Sequence, residues 1–232
     1  MAESIPMHII ARIHTDFPTK FGIPRQSGLV ESLRGAVVFE SEYRNPDALR
    51  GIEGFSHIWL VWQFSEAVRE GWSPTVRPPR LGGNERMGVF ATRSPFRPNA
   101  IGLSCVKLEG VELHTRQGPV LHVSGADLMD GTPIFDIKPY LPYVDCRAEA
   151  TGGFANRRPE QLLTVDISDE LLEEVSSGLR EGLTGVLACD PRPSYQNDPE
   201  RVYGMDFGGY NIKFTVVGSV LTVRSVKKLE RG

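Results

Sequence analysis

The residues best suited to chemistry in this sequence are arginines that cluster in one glycine- and proline-rich segment. From Arg77 to Arg97 there are five arginines and a single acid, Glu85, so the balance is +5 − 1 = +4. Guanidinium groups bind phosphates and carboxylates through paired hydrogen bonds. The segment therefore favours an anionic ligand, and the alternative is a solvated loop whose arginines pair with surface acids.

Inside that segment, residues 93–99 form an unusually stiff stretch. Pro95 and Pro98 restrict the backbone on either side of Phe96 and Arg97 and disfavour a helix. We interpret the stretch as a loop that presents two guanidinium groups before any ligand binds. A rigid turn between two strands is the alternative.

The chain from residue 127 to residue 140 forms a second polar cluster. An Asp-Gly pair at its centre is typical of a tight turn that joins two paired strands. We expect Asp127 and Asp130 at one rim of that hairpin, with Asp136 and Lys138 on the returning strand. Acids in this arrangement can bind ribose hydroxyls or a cationic ligand, or accept a proton. The alternative is a capped turn beside a surface ion pair.

Common catalytic and metal-binding motifs are absent from the sequence. There is no G-x-G-x-x-G, no G-x-x-x-x-G-K-[ST], no H-E-x-x-H and no G-x-S-x-G. The three cysteines, Cys105, Cys146 and Cys189, are odd in number and widely spaced. We therefore expect no Rossmann-type nucleotide site, no metal site and no disulfide framework, and we expect a reducing, cytoplasmic environment.

The composition is that of a globular protein with room for a real core. The 232 residues include 26 basic and 29 acidic side chains, a net charge of −3, and 40% of them are hydrophobic. This balance argues against a surface that is basic throughout. The sequence has neither the pattern of a signal peptide nor an apolar run of membrane-spanning length, so it predicts a soluble protein without a membrane partner.

Short apolar or alternating runs, separated by turn residues, predict a mainly β fold over the first two thirds of the chain. Their spacing favours an antiparallel barrel or sandwich interrupted by two short helices, at 45–51 and 65–71. The predicted strands are residues 7–13, 35–39, 58–64, 86–92, 102–108, 120–124 and 134–138.

A change of composition near residues 152–159 predicts a boundary between a β domain, residues 1–152, and a small α+β domain, residues 153–232. In the second domain Ser168 is suited to cap a helix. That helix has Leu171, Leu172, Val175 and Leu179 on one face, and it is followed by a loop at 190–209 and strands at 210–217 and 220–226.

Four motifs in order resemble the TsaA/YaeB family over nearly the whole chain. They are residues 21–26, 54–59, 88–102 and 127–138, and the tail segments 190–195 and 203–205 resemble the bacterial C-terminal domain. The resemblance implies an antiparallel β-barrel that forms homodimers. It also implies an S-adenosylmethionine-dependent methyltransferase that methylates N6 of N6-threonylcarbamoyladenosine at position 37 of tRNA.

The resemblance also implies a cofactor site. S-adenosylmethionine carries a carboxylate, a ribose diol and a sulfonium, which an arginine beside an acidic turn complements. At the positions of one family pair, related sequences often carry His followed by Gln or Lys, and this sequence has Ser65 and Glu66 there. The implied cofactor residues are Pro24, Arg25, Gln26, Ser65, Glu66, Arg93, Leu103, Asp127, Leu128, Met129 and Asp130.

We expect the other polar and aromatic residues of these motifs to contact the anticodon stem-loop of tRNA and its threonylcarbamoyl group. These are Arg77, Arg80, Arg86, Arg97, Asn99, Tyr140 and Tyr143. Direct transfer to N6 needs a nearby proton acceptor, and Asp136 beside Lys138 is the candidate. The alternatives are a non-catalytic RNA-binding barrel and an adenosylmethionine-dependent methyltransferase of another small acceptor.

Overall fold

A closed antiparallel barrel forms the first part of the molecule. The computed structural model describes residues 3–69, 71–78, 81, 84–156, 162–193, 196 and 198–230. Around the barrel the strand order is β1-β2-β7-β6-β3-β8, which confirms the predicted barrel. The strands are β1 (Ala11–Thr15), β2 (Arg34–Phe39), β3 (His57–Gln63), β6 (Ile101–Thr115), β7 (Gly118–Ser124) and β8 (Thr132–Pro139).

Alternation along the strands fills the barrel with apolar side chains. On β3, Ile58, Leu60 and Trp62 are buried in the interior. Trp59, between Ile58 and Leu60 in the sequence, is on the outer face. Its indole donates a hydrogen bond of 3.1 Å to Asp145, which belongs to the short helix α1 (Pro142–Asp145).

Three strand predictions need correction in their extent. The first strand begins at Ala11, not at residue 7, and β6 continues past residue 108 to Thr115. The predicted strand at 86–92 is wrong beyond its first residues, because the chain pairs only as a small ribbon and then turns. That ribbon joins β4 (Thr75–Val76) to β5 (Met87–Gly88), and a 3-10 turn, Val89–Ala91, follows it.

The Asp-Gly turn does not form the predicted hairpin. Strand β7 pairs with β2 and β6, whereas β8 pairs with β1 and β3. The turn packs against the end of β1 instead, where the Asp130 amide donates to the Phe17 carbonyl and the Gly131 amide donates to the Ile13 carbonyl, both at 2.8 Å. The prediction that the acids on either side of this turn lie on two paired strands of one hairpin is therefore wrong.

The two predicted helices of the barrel region are single 3-10 turns. The first, Pro46–Leu49, has the expected cap, because the Asn45 side chain accepts from the Asp47 amide at 3.0 Å. The second is Ser65–Ala67, which follows β3 directly.

The C-terminal part is a four-stranded sheet with two helices. The sheet order is β10 (Tyr203–Phe207), β11 (Tyr210–Val217), β12 (Val220–Lys228), β9 (Thr164–Asp166), with β9 parallel to β12. The predicted loop at 190–209 therefore contains a strand, whose alternate residues Tyr203, Met205 and Phe207 are buried.

The predicted C-terminal helix is divided into α2 (Asp169–Glu173) and α3 (Ser177–Ala188). Ser168 caps α2 as expected, by accepting from the Leu171 amide at 3.4 Å. The break lies at Ser176, whose amide and hydroxyl both contact the Tyr210 hydroxyl, at 3.3 and 3.0 Å. A tertiary contact with β11 thus holds the chain in a turn where the apolar pattern alone predicts a continuous helix.

Residues 16–33, which connect β1 to β2, join the barrel to the C-terminal sheet. Phe17, Val30 and Leu33 are buried in the same apolar cluster as the C-terminal side chains. Gly22 lies so close to Met205 that a Cβ atom there would overlap its sulfur. No helix in the described part of the chain is long and apolar enough to cross a membrane.

Candidate functional site

A large open groove runs along one end of the barrel and reaches the C-terminal domain. Its volume is about 2390 Å³. Its lining comes mainly from residues 23–26, from the chain at and after the end of β3, from described residues within 73–78 and 86–103, and from residues 127–129. Gly152 to Ala155 and Asp190 border it from the C-terminal side.

The loop of residues 92–99 is held in shape by its own hydroxyl groups. The Thr92 hydroxyl oxygen accepts from the Ser94 amide, and the Ser94 hydroxyl oxygen accepts from the Phe96 amide, each at 3.2 Å. The Arg97 guanidinium donates to the Thr92 carbonyl at 3.1 Å. These short-range bonds, together with the prolines, give the preorganised loop that the sequence indicates.

Residues 24–26 face this loop across the groove. Pro24 is buried, and the Arg25 side chain is exposed to the groove. The Gln26 side-chain oxygen accepts a hydrogen bond from the Arg93 guanidinium, so the two loops are in direct contact. The structure thus brings together two family motifs that are 67 residues apart in the chain.

The floor of the groove contains a buried chain of hydrogen bonds. The Trp62 indole donates to the Ser104 hydroxyl oxygen at 3.0 Å, and the Ser104 hydroxyl donates to the Asp127 carboxylate at 2.6 Å. Gly102 permits this arrangement, because a Cβ atom there would overlap the indole of Trp62. A polar network therefore positions one acid at the base of the groove.

Burial shapes the electrostatics of that acid. Desolvation raises the pKa of Asp127 above its ordinary value, and the Ser104 hydroxyl and the Arg93 charge oppose the rise. A desolvated carboxylate beside an arginine, at the floor of an open groove, is a common feature of binding and catalytic sites.

The turn after β3 forms another side of the groove. Ser65 and Glu66 both line it, and the Glu66 carboxylate lies 3.7 Å from the Lys20 ammonium group. Leu103 lines it as well, with 55% of its surface exposed although it belongs to a barrel strand. That exposure leaves an apolar side chain in the groove.

Most of the predicted site residues come together in this groove. Those that line it are Pro24, Arg25, Gln26, Ser65, Glu66, Arg77, Arg86, Arg93, Arg97, Asn99, Leu103, Asp127, Leu128 and Met129. Arg80 lies outside the described residues.

Asp130 is not brought to the groove. Its carboxylate accepts from the Thr15 amide at 3.0 Å and lies 3.1 Å from His14 Nδ1. Because the turn folds back onto β1, the structure does not place Asp130 in the groove lining with Asp127, and its role as a cofactor residue stays a prediction.

Asp136 and Lys138 also lie outside the groove, and they pair with each other at 2.9 Å. Residues that lie directly opposite each other on paired strands point to the same face of a sheet. Val61 on β3 lies opposite Leu103 on one neighbouring strand, β6, and opposite Asp136 on the other, β8. These three residues form a row on the outer face, so Asp136 is about 10 Å from Leu103 across two strand spacings.

The two tyrosines proposed as stacking surfaces lie elsewhere on the barrel. The Tyr140 ring packs near Trp59 and His57, with centroids 5.8 and 6.1 Å away. Tyr143 is on α1 and is 81% exposed. Neither residue lines the groove.

The structure adds residues to the groove that were not predicted from the sequence. Arg69 and Phe90 line the groove, as do Phe154 and Asp190 from the C-terminal side. Arg69 stacks on the Phe96 ring at 4.1 Å from its centroid. Two of these residues had a signal in the sequence: Arg69 lies shortly before the basic segment, and Asp190 begins the tail segment 190–195 that resembles the family's C-terminal domain.

The groove is strongly basic. In the described part of the chain, none of its guanidinium groups forms an ion pair with a carboxylate. The described residues also contain no group of three or more acids, histidines or cysteines placed to hold a metal ion. The six arginines that line the groove are Arg25, Arg69, Arg77, Arg86, Arg93 and Arg97.

Two family models match the chain in succession. Residues 12–146 match the tRNA-methyltransferase O N-terminal domain, and residues 160–229 match the TrmO C-terminal domain. The first match includes all of the barrel strands except the first residue of β1.

Individual relatives agree with these matches. The chain is 42% identical over 222 residues to the tRNA (adenine(37)-N6)-methyltransferase of Escherichia coli (strain K12), covering 92% of this chain and 94% of the relative. It is 38% identical over 153 residues to a probable S-adenosyl-L-methionine-binding protein of Pyrococcus abyssi, covering 66% and 77%. A crystal structure of TrmO from Pseudomonas aeruginosa superposes with a TM-score of 0.79 at 34% identity, covering 98% of this chain and 99% of that one.

Proposed function

The chain belongs to the tRNA-methyltransferase O family, and on that premise we propose that it methylates N6 of N6-threonylcarbamoyladenosine at position 37 of tRNA. The proposed methyl donor is S-adenosylmethionine. The observation that carries the proposal is the groove, which brings residues 24–26, Arg93, Leu103 and 127–129 to one place.

The residues of the groove fit this cofactor chemically. Arg93 supplies a fork for a carboxylate, and Asp127 supplies acceptors for hydroxyl groups and negative potential near a cation. Leu103 supplies an exposed apolar surface for a flat ring. When bound, S-adenosylmethionine provides an activated methyl group on its sulfonium. The residues that would hold it are Pro24, Arg25, Gln26, Ser65, Glu66, Arg93, Leu103, Asp127, Leu128 and Met129.

Arginines on the outer side of the same groove support an RNA substrate. Arg77 and Arg86 are exposed and can reach phosphates, whereas Arg97 is half-buried and preorganised by its bond to Thr92. We assign Arg97 and the neighbouring Asn99 to the threonylcarbamoyl group, because a half-buried guanidinium selects a carboxylate more strongly than an exposed one.

Positioning does most of the catalytic work in this proposal. An activated donor needs only an acceptor nitrogen held in line, and the stiff 92–99 loop and the residues 24–26 supply that rigidity. The role of Asp136, with Lys138, as acceptor of the N6 proton stays a prediction. Asp136 lies two strand spacings, about 10 Å, from Leu103. Retention of full methyl transfer by Asp136→Asn would exclude it.

The deciding experiment uses labelled S-adenosylmethionine and tRNA with or without the threonylcarbamoyl group. We expect label only in the tRNA that carries the group, and loss of transfer in Arg93→Ala. Equal label in both tRNAs would replace the proposed substrate with unmodified adenosine. Cofactor binding without transfer to either tRNA would overturn the tRNA methyltransferase in favour of another acceptor.

A further inference from the structure

Two aromatic side chains are exposed together beside the groove. Phe90 is 72% exposed and Trp72 is 55% exposed. Their ring centroids are 6.0 Å apart and their planes are inclined by 34°. Large apolar rings that are neither buried nor isolated usually mark an interaction surface.

The local fold holds both rings outward. Val89 is buried, and its amide donates to the Pro74 carbonyl at 2.9 Å, which ties the segment of Phe90 to that of Trp72. The Thr92 amide closes the turn on the Val89 carbonyl at 3.2 Å. Within the 3-10 turn Val89–Ala91, the Val89 side chain is buried and the Phe90 side chain is exposed to solvent.

The surroundings of this aromatic pair are basic. Phe90 lines the groove together with Arg77 and Arg86. Trp72 lines an adjoining cavity of about 720 Å³, together with Arg69 and Arg97. Within the described residues these arginines have no carboxylate partner in an ion pair.

Exposed rings beside unpaired guanidinium groups match single-stranded RNA better than a protein. Protein interfaces are depleted in charge at their centre, whereas single-stranded nucleic acid needs stacking faces and backbone cations side by side. RNA-binding proteins stack unpaired bases on aromatic rings and on arginine planes. The Arg69–Phe96 stack extends the same surface.

We propose that Trp72 and Phe90 form a stacking platform for an unpaired base of the RNA loop, with Arg77 and Arg86 on the flanking phosphates. The inference rests on the proposed function, which makes that RNA the anticodon loop of tRNA. It moves the stacking role from Tyr140 and Tyr143 to residues at the groove.

The test measures binding of an anticodon stem-loop RNA by Trp72→Ala, Phe90→Ala and Trp72→Phe. Loss of one stacked base weakens binding by roughly tenfold, so we expect that loss in both alanine variants and less than threefold in Trp72→Phe. Phe55→Ala is the matched control. Phe55 is also an exposed aromatic residue, but it lies just before the start of β3, whereas the groove is at the end of that strand. We expect it to bind RNA like the wild type.

Tryptophan emission gives a direct reading of stacking. Trp62 is 7% exposed and Trp59 is bonded to Asp145, so Trp72 is the tryptophan most accessible to a base. We expect RNA to quench emission in the wild type and in Phe55→Ala but not in Trp72→Phe.

The outcomes separate this inference from the proposed function. If the wild type methylates tRNA but both alanine variants bind RNA normally, the platform is wrong and the function stands. A change of sedimentation coefficient with unchanged RNA affinity would also overturn the platform, in favour of a protein interface. If the wild type transfers no methyl group but the alanine variants lose RNA binding and quenching, the function fails and the platform stands. S-adenosylmethionine affinity, measured in parallel, should stay constant in all variants.

Discussion

The Ser104 hydroxyl donates a 2.6 Å hydrogen bond to the Asp127 carboxylate, and this bond sets the character of the groove floor. Asp127 is desolvated, which raises the pKa of its carboxyl group, and the hydrogen bond from Ser104 opposes that rise. Because Ser104 itself accepts from the Trp62 indole, its proton is directed at the acid. The barrel interior and the groove are therefore coupled through one hydroxyl group.

Replacing Ser104 with alanine should weaken cofactor binding, and more so at low pH. Without the hydroxyl the pKa of Asp127 rises further, so its negative charge is lost at a higher pH. The lost bond stabilised the charged form of Asp127 by about 1.5–3 kcal/mol, so calorimetry should show a loss of S-adenosylmethionine affinity that grows as the pH falls and reaches roughly tenfold where Asp127 is protonated only in the variant. Ser56→Ala is the control, and an equal loss at pH 6 and pH 8 would contradict the electrostatic role.

Gly102→Ala should displace the Trp62 indole. The added Cβ atom overlaps the indole, and overpacking of this kind costs roughly 1–3 kcal/mol. Gly110→Ala is matched to it, because Gly110 lies on the same strand and has open space at the Cβ position. Denaturant unfolding should show the loss only in Gly102→Ala, accompanied by a changed near-ultraviolet signal from Trp62. Equal stability of the two variants would refute the steric argument.

Much of the barrel could be predicted from the sequence, because strands such as β3 alternate between buried and partly exposed residues. The run Ile58, Leu60, Trp62 is such a case. The prediction of secondary structure was wrong where contacts with distant segments determine the path of the backbone. The Asp130–Gly131 turn looks like a hairpin turn, yet it bonds to Phe17 and Ile13 on another segment.

The groove was predictable in its motifs but not in its geometry. The resemblance implied residues 24–26, Arg93 and 127–129, and the structure brings these together. Phe90 was missed because the apparent alternation from 86 to 92 suggests a strand, whereas the chain turns at Val89. Trp72 was missed because only the bond between the Val89 amide and the Pro74 carbonyl brings its segment next to that turn. The apolar pattern around Val89 does not show that its amide bonds to the carbonyl of Pro74, fifteen residues earlier in the chain.

Gly22→Ala should lower cofactor affinity although Gly22 is outside the groove lining. Both Gly22 and Gly28 have positive φ, so alanine strains either site by about 1–2 kcal/mol. Only at Gly22 does the new Cβ atom also collide with Met205. Gly22→Ala should therefore loosen residues 16–33 from the C-terminal core and misplace residues 24–26. Calorimetry with S-adenosylmethionine should show a larger loss than in Gly28→Ala, and equal losses would argue against this coupling.

Glu109→Gln should reduce stability at neutral pH but not in strong acid. Ser124, Lys107 and Arg34 surround the carboxylate and lower the pKa of Glu109 to about 2 from an ordinary value of 4.5. A lowered pKa contributes stability above the unfolded value, and that stability is lost as the pH falls from about 4.5 to about 2. Urea unfolding across this range should show the two proteins converging at low pH, with Glu53→Gln as the control. A difference that persists at pH 2 would mean that packing, not charge, is responsible.

Binding of tRNA should depend steeply on salt despite a net charge of −3. The relevant charges are the groove arginines that neither the cofactor nor the threonylcarbamoyl group takes, Arg69, Arg77 and Arg86, and three contacts to single-stranded phosphates predict a slope of roughly −2 in log affinity against log salt. Arg86→Ala should make the slope shallower by about one unit. Arg50→Ala should leave it unchanged, because Arg50 pairs with Asp47 away from the groove. A flat response in the wild type would show that these arginines do not contact the RNA backbone.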